Sequence, residues 1–370
     1  MRVLVICKRQ YTGKDLVNDR FGRLYQLPAG LSKLGDEVRI CTLSYRRRTG
    51  ADAGRFDDAG MEWRSRNAIP VGLIRHDAWL DAMTSDWTPD VVWASSDMLQ
   101  AVLAMRWSKR RGIPCVIDLY DNYESFGLSR TPGLTTAFRS ACRQAAALTT
   151  VSDTLSDYVR TRYHTTRPID VVINGIRKDL FHERDKTHAR ASLGLPQDAR
   201  IIGTAGALTA DRGISDLFDA FERLAQDDAG LWLVHAGPTD GSFGRRRHPR
   251  IVDLGMLPQQ GVPELLAALD VGVVCNRDSA FGRYCFPLKL HEMLAMRIPV
   301  VAAALGDVEA LLASSPQSLY APGDVQMLAE RISAQLSIPS IPDVASPEWQ
   351  DCAAMLRLTL DRHARRTGRS

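Results

Sequence analysis

Phe286–Ala303 reads FPLKLHEMLAMRIPVVAA, and two different patterns meet in it. Leu290, Met293 and Leu294 recur at steps of three and four, the spacing of one helical face. Lys289 and Glu292, three apart, share a neighbouring face and can reach one ligand. Pro287 suits the first turn of that helix, where a missing N–H costs nothing. Ile298-Pro299 ends the helical pattern, and Val300-Val301-Ala302-Ala303 reads as a short buried parallel strand. A loop, a helix whose first turn offers a cation and a carboxylate, then a buried strand is the way an α/β domain holds a nucleotide. The helix N-terminus and Lys289 would take phosphate, and Glu292 would accept hydrogen bonds from ribose hydroxyls.

The chain on either side of this stretch alternates strands with helices. Arg2–Cys7 reads as a strand, Phe21–Leu34 as a helix closed by Gly35, and Glu37–Leu43 as a second strand. Asp90–Ala94, the helical Met98–Lys109, Pro114–Asp118, a helix near Leu134–Ala147 and the strand Ala147–Val151 continue the alternation. The pattern restarts at Arg200–Gly206, with a helix from Ile214 or Ser215 through Leu224, then Leu231–Pro238, Ile251–Leu254 and Asp270–Asn276. Such an order predicts an α/β protein with doubly wound parallel sheets, whose ligands sit at the carboxyl ends of the strands. The 370 residues exceed one ordinary core, and Asn174-Gly175 supplies a sharp turn at the end of the first half. The expected domains are therefore 1–175 and 176–345. A final amphipathic helix over 346–366, capped by Ser346, is expected to return to the first domain.

Composition narrows the class. Apolar residues make up 45% and charged residues 24%, the balance of a globular protein without a membrane span. The N-terminus reads as a buried strand and not as a signal peptide. Seven cysteines without C-x-x-C spacing, mostly in apolar runs, predict reduced thiols in a cytoplasmic protein, with no metal site and no cofactor. Residues 1–170 hold 25 Lys and Arg against 19 Asp and Glu, so the first half is basic. Two clusters stand out there, Arg46-Arg47-Arg48 and Lys109-Arg110-Arg111. They read either as solvated faces or as peripheral contacts with an anionic membrane. Nucleic acid is excluded as a partner by the lack of interleaved stacking aromatics.

From Glu292 onward the opening stretch resembles the donor-sugar motif of retaining GT-B glycosyltransferases of family 4, the glycogen-synthase-like group. In that family a second glutamate is followed by A-M-A-x-G-x-P-V-V-A. This chain has Glu292-Met-Leu-Ala-Met-Arg-Ile-Pro-Val-Val-Ala, with Arg297 at the usual glycine. The family's first glutamate falls eight positions earlier, at Tyr284. Its turn G-R-L…K-G falls on Gly206-Ala207-Leu208…Arg212-Gly213, which loses the first cation and keeps the second as Arg212. Its D-x-H-D falls on Asp118-Leu119-Tyr120-Asp121, with Tyr120 at the histidine.

The resemblance implies a GT-B fold of two Rossmann-like domains, with acceptor bound by the first, nucleotide-sugar by the second, and chemistry in the cleft. It implies transfer to a glycan or lipid-linked acceptor with retention and without a metal, in bacterial polysaccharide or glycoconjugate synthesis. Arg212 and Lys289 would stabilise the departing diphosphate, and Asp121 would orient the acceptor hydroxyl. Donor contacts would come from Gly206, Arg212, Lys289 and Glu292, from Met256 and Leu257 around the base, and from Arg277, Arg283 and Tyr284 in the loop 277–285. Gly13, Tyr120, Asp121 and Glu124 would face the acceptor. The substitutions at positions 120, 207 and 284 leave two alternatives open, a nucleotide-sugar epimerase and a catalytically degenerate partner subunit.

Overall fold

The computed structural model describes residues 1–11, 14–46, 55–57, 59–69, 72–241 and 248–365. The chain divides into two compact units. One comprises Met1–Gly175, Tyr284–Phe286 and Pro347–Ser370, the other Ile176–Arg283 and Pro287–Ser346. The expected block 176–345 is thus interrupted, because Tyr284–Phe286 packs with the first unit.

The first unit is built on β1 (Arg2–Lys8), the hairpin of β2 (Gln10–Tyr11) and β3 (Lys14–Asp15), β4 (Glu37–Ser44), β5 (Arg55–Phe56), β6 (Glu62–Asn67), β7 (Val91–Ala94), β8 (Cys115–Leu119), β9 (Ala147–Thr150) and β10 (Ile169–Val171). Its main sheet runs β10-β9-β8-β7-β1-β4-β6-β5, parallel except for β5. β1 is buried on both faces, which explains its unbroken apolar run. Leu4 and Ile6 enter a core with Val92 and Trp107, while Val3, Val5 and Cys7 face the helix Arg23–Lys33. The last helix, Trp349–His363, buries Cys352, Ala353, Leu356 and Leu360 in that second core. Ser346 does not cap it. Glu348 does, in a reciprocal pairing with Asp351, and Ser346 Oγ instead donates to the His291 carbonyl at 3.2 Å.

Two elements of this unit carry no sequence signal of the expected kind. β6 reads Glu62-Trp-Arg-Ser-Arg-Asn, yet Glu62 is buried because Arg39 and Arg64 both pair with it. The helix His76–Met83 follows it across the segment between β6 and β7.

The second unit carries β11 (Arg200–Ala205), β12 (Leu231–Ala236), β13 (Ile251–Asp253), β14 (Val271–Val274), β15 (Val300–Ala303) and β16 (Leu319–Tyr320). Its sheet is wholly parallel in the order β13-β12-β11-β14-β15-β16. Side chains alternate between two cores: Val300 and Ala302 join Leu290 and Met293, whereas Val301 and Ala303 join Phe218 and Phe221. A Cβ at Gly272 would lie 2.6 Å from Met293 Sδ, so the helix Leu288–Ala295 rests directly on β14.

Each sheet reverses its winding once, between β1 and β7 in the first unit and between β11 and β14 in the second. The carboxyl ends of those pairs are where an open α/β sheet leaves room for a ligand.

Candidate functional site

In the second unit the turn after β11 is Gly206, with φ +110°. Gly237 follows β12 at φ +139°, and a Cβ there would fall 2.0 Å from the Gly206 carbonyl oxygen. The two turns therefore lie flat against each other, with Gly206 N–H donating to Ala236 O at 2.9 Å. Lys289 crosses this platform. Its Cδ and Nζ lie 3.3 and 3.4 Å from where a Gly206 Cβ would stand, so the lysine runs close over bare backbone at 206. Lys289 belongs to the first turn of Leu288–Ala295, whose N-terminus has Pro287 and no side-chain cap. Glu292, one turn on, is half-buried. Burial raises its carboxyl from 4.5 to about 8, with the Lys289 charge opposing the shift.

Three arginines surround this switch point, and they differ in what holds them. Arg277 pairs with Asp216 at 2.8 Å and donates to Ser215 Oγ at 2.8 Å, bracing the end of β14 to the helix Ile214–Asp227. Arg283 forms a two-point pair with Asp278 on an exposed edge. The cations expected from the loop 277–285 are thus already neutralised by carboxylates. Arg212 is different: it sits on the turn Ala210–Arg212 with its guanidinium 3.7 Å from the ring centroid of Phe281. Among the described residues no carboxylate pairs with it.

The other expected donor contacts separate. Met256 is 69% exposed beyond the end of β13, whereas Leu257 packs against the core. Tyr284 lies in the first unit, its ring 4.7 Å from Tyr158 and its carbonyl 3.4 Å from Ser152 Oγ. The position of the family's first glutamate is therefore filled by an aromatic side chain packed on another aromatic. Arg297, at the family's glycine, has φ +57°, which shows why that position favours glycine.

The first unit's switch point is organised by a buried ion pair that the sequence reading did not single out. Arg23 and Asp118 are both fully buried and meet through two hydrogen bonds of 3.0 and 2.7 Å. Ser95 Oγ and Thr149 Oγ1 donate to the same carboxylate at 2.7 and 2.6 Å. Arg23 also donates to the Val172 carbonyl at 2.8 Å and to Asn174 Oδ1 at 3.1 Å. Asp118, the residue at the first aspartate of the family's D-x-H-D, is thus a cross-link between β8, β7, β9 and the turn after β10. The signal available was an arginine opening a helix whose other inward residues are apolar.

Above this pair, Ser96 stands at φ +97°, a region non-glycine residues rarely occupy. Three bonds hold it there. Lys8 N–H donates to its Oγ at 2.8 Å, its own N–H donates to Tyr123 Oη at 3.1 Å, and Tyr120 Oη donates to its carbonyl at 3.1 Å. Tyr120 is flanked edge-on by Tyr11 and Tyr123, at 5.2 and 5.4 Å between centroids. Burial holds its phenol well above the ordinary 10, so it stands as a neutral donor and an apolar wall.

Glu124, expected to face the acceptor, is instead bound by Arg139 at 2.7 and 2.6 Å and by Tyr158 Oη at 3.4 Å. A carboxylate committed to a two-point arginine pair is a brace, which leaves Asp121 as the candidate for orienting a hydroxyl. Asp121 is half-buried and accepts from Asn122 N–H at 2.9 Å. Gly13 lies outside the described residues, as do Arg47 and Arg48. The cluster Lys109-Arg110-Arg111 is largely engaged: Arg110 pairs with Asp77 and Asp81, and Lys109 donates to Gln144. Among the described residues no group of three or more His, Cys, Asp or Glu is placed to hold a metal ion, and no helix is long and apolar enough to cross a membrane.

Comparison with known proteins agrees with this architecture. The sequence profile described as Glycosyl transferases group 1 matches residues 199–337, and that of the Glycosyl transferase 4-like domain matches residues 23–175. The chain is similar to TuaC, a putative teichuronic acid biosynthesis glycosyltransferase of Bacillus subtilis, at 28% identity over 67% of this chain and 61% of that protein. It is similar to the 2-deoxystreptamine N-acetyl-D-glucosaminyltransferase of Streptomyces fradiae at 25% identity, over 85% of this chain and 81% of that protein. Among solved structures, sucrose-phosphate synthase from Thermosynechococcus elongatus shares the fold with a TM-score of 0.73 at 16% identity, over 98% of each chain. Anabaena HepE, solved in complex with UDP and glucose, also gives a TM-score of 0.73 at 16% identity, over 97% of this chain and 99% of that one. With both of its halves matched and the two-domain GT-B fold shared, the chain belongs to the GT-B glycosyltransferases of the group 1 and group 4 type, as a divergent member.

Proposed function

We propose that this glycosyltransferase moves a sugar from a nucleoside diphosphate sugar to a glycan or lipid-linked acceptor, with retention and without a metal ion, in bacterial polysaccharide or glycoconjugate synthesis. The observation that carries the reading is Lys289 lying across the Gly206 turn at the β11–β14 switch point, with Arg212 in the same unit held by an aromatic ring and, among the described residues, not paired with an acid. Cleaving the anomeric C–O bond leaves a cationic sugar and a diphosphate carrying one more negative charge. Lys289, Arg212 and the uncapped N-terminus at Pro287 are the groups that stabilise that charge. The acceptor hydroxyl attacks the anomeric carbon from the face the phosphate leaves, and its proton passes to the departing phosphate oxygen. Glu292 takes the ribose hydroxyls, and Asp121 orients the acceptor.

Related structures support a nucleotide-sugar donor, since HepE was solved with UDP and with UDP-glucose. The cluster Lys109–Arg111, one of the two offered for contact with an anionic membrane, is largely engaged within the fold. A second reading, a nucleotide-binding partner without turnover, is favoured by one observation: Tyr284 packs at a tilt against Tyr158 where the family places a glutamate.

A thermal-shift panel of UDP-, GDP-, ADP- and dTDP-linked sugars, with and without EDTA, tests the proposal. A ligand at a hundredfold excess over its dissociation constant stabilises the folded state by about 2.7 kcal/mol. We expect one nucleotide class to raise Tm equally in both conditions. A shift abolished by EDTA would contradict metal independence, and no shift with any donor would remove the transferase reading. Donor binding without sugar release or transfer would select the partner reading.

A further inference from the structure

We propose that Phe281 is a positioning residue that presents the Arg212 guanidinium edge-on to the donor's diphosphate. The inference rests on the reading of Arg212 as a diphosphate ligand and adds the residue that prepares it.

The two residues come from the two loops of the β11–β14 switch point. Arg212 ends the short turn Ala210–Arg212, and Phe281 lies on the short helix Ala280–Tyr284. Both loops are fastened by contacts besides this one, within each loop and between the two. On the Arg212 side, Ala210 N–H donates to Asp240 at 2.9 Å, and the place a Gly213 Cβ would occupy is 3.3 Å from the Asn276 backbone. On the Phe281 side, Gly282 N–H donates to Ser279 Oγ at 3.1 Å, Arg283 is tied to Asp278, and Arg277 is tied to Asp216 and Ser215. The phenyl ring is thus a fixed surface, and the arginine lies on it at 3.7 Å from the centroid.

The ring lies 3.7 Å from the guanidinium carbon, and among the described residues none of the five N–H donors is spent on another side chain. A carboxylate partner would do the reverse, spending the donors and cancelling the charge, as happens at Arg277 and Arg283. An aromatic partner attracts the cation without neutralising it. Of the three arginines around the loop, the one held by a ring is the one left able to grip an anion. The ring also limits the rotamers that a long side chain would otherwise lose on binding.

The test is a double-mutant cycle read by isothermal titration on the full chain, using UDP and GDP, each beside its own nucleoside. Arg212→Ala should weaken the diphosphate and leave the nucleoside unchanged. Phe281→Ala and Phe281→Leu should each weaken the diphosphate by about threefold to tenfold, again without effect on the nucleoside. Phe281→Trp should restore it. In the Arg212→Ala background, Phe281→Ala should have no further effect on the diphosphate. Leucine retaining full affinity would make Phe281 a packing residue only, and additive losses in the double variant would show that it acts independently of Arg212. Either result overturns the proposal. Loss of affinity for diphosphate and nucleoside alike would also overturn it. If the wild-type chain bound neither diphosphate, or bound it undiminished in Arg212→Ala, the underlying reading of Arg212 would fail, an outcome distinct from a failed cycle.

Discussion

The two switch points share a sheet architecture and are finished in opposite ways. In the first unit the carboxyl ends of β7, β8, β9 and β10 are drawn together by charges that cancel internally, Arg23 against Asp118, with tyrosines above them. In the second unit the strand ends are stripped to glycine turns, and a lysine is laid over them with an aromatic-held arginine in the adjoining loop. A closed, neutral, hydrogen-bonding surface suits a hydroxyl-bearing acceptor. A glycine platform under cations suits a diphosphate, because backbone can approach it and Arg212 is held by a ring and not by an acid among the described residues. Under the proposed function, the same topology is turned to different ligands by where the charge is spent.

The largest effect should come from breaking the neutral side. Arg23→Ala strands a buried carboxylate with two hydroxyl donors as its remaining partners, and removal of one partner of a buried pair costs about 3–5 kcal/mol. Urea unfolding followed by tryptophan emission should show that loss in the first unit, while nucleotide binding by the second persists in protein that remains folded. Next comes the charged side. Lys289→Ala should lower turnover by about two orders of magnitude or more, equivalent to roughly 2.7 kcal/mol of transition-state stabilisation, with little change in thermal stability. Stability loss without loss of turnover would reverse the assignment of the two regions.

A smaller effect concerns Glu292. Its carboxyl is raised by burial from 4.5 to about 8 in the folded chain, so between those values the folded state binds more protons than the unfolded state. Stability contributed by the neutral acid is present below pH 4.5 and is lost as pH rises through 8. Glu292→Gln should flatten that part of a Tm-against-pH curve, and an unchanged slope would place its source elsewhere. The smallest change sharpens the contrast in backbone strain. Ser96 is strained but held by three hydrogen bonds, whereas Arg297 at φ +57° is 64% exposed on its side chain. Arg297→Gly should therefore stabilise the chain by up to about 1 kcal/mol, read as a rise in Tm.

Much of the second unit was legible because its logic is local. Glycine turns, the helix-to-strand change at Ile298-Pro299 and the first-turn lysine all declare themselves within a few residues. The first unit hides its logic in distance: Arg23 and Asp118 lie 95 positions apart, and nothing in either neighbourhood announces the other. β6 escaped notice because its buried glutamate contradicts alternation until Arg39 and Arg64 are seen to neutralise it. Residue type and loop position mark Arg283 and Glu124 as ligand contacts, and only three-dimensional pairing shows both committed to other side chains. Tyr284 was assigned by motif register to the sugar, yet its ring packs in the other unit. Residue type marks which groups are capable of chemistry, and pairing decides which are available for it.

The central claim is that the second unit's switch point binds a diphosphate through cations laid over glycine turns. Isothermal titration of Lys289→Ala with UDP and GDP, each beside its nucleoside, tests it most directly. Diphosphate affinity should fall by tenfold or more while nucleoside affinity is unchanged, since a hydrogen bond to a charged group contributes about 1.5–3 kcal/mol. Equal affinity of wild type and Lys289→Ala for the diphosphate would contradict it.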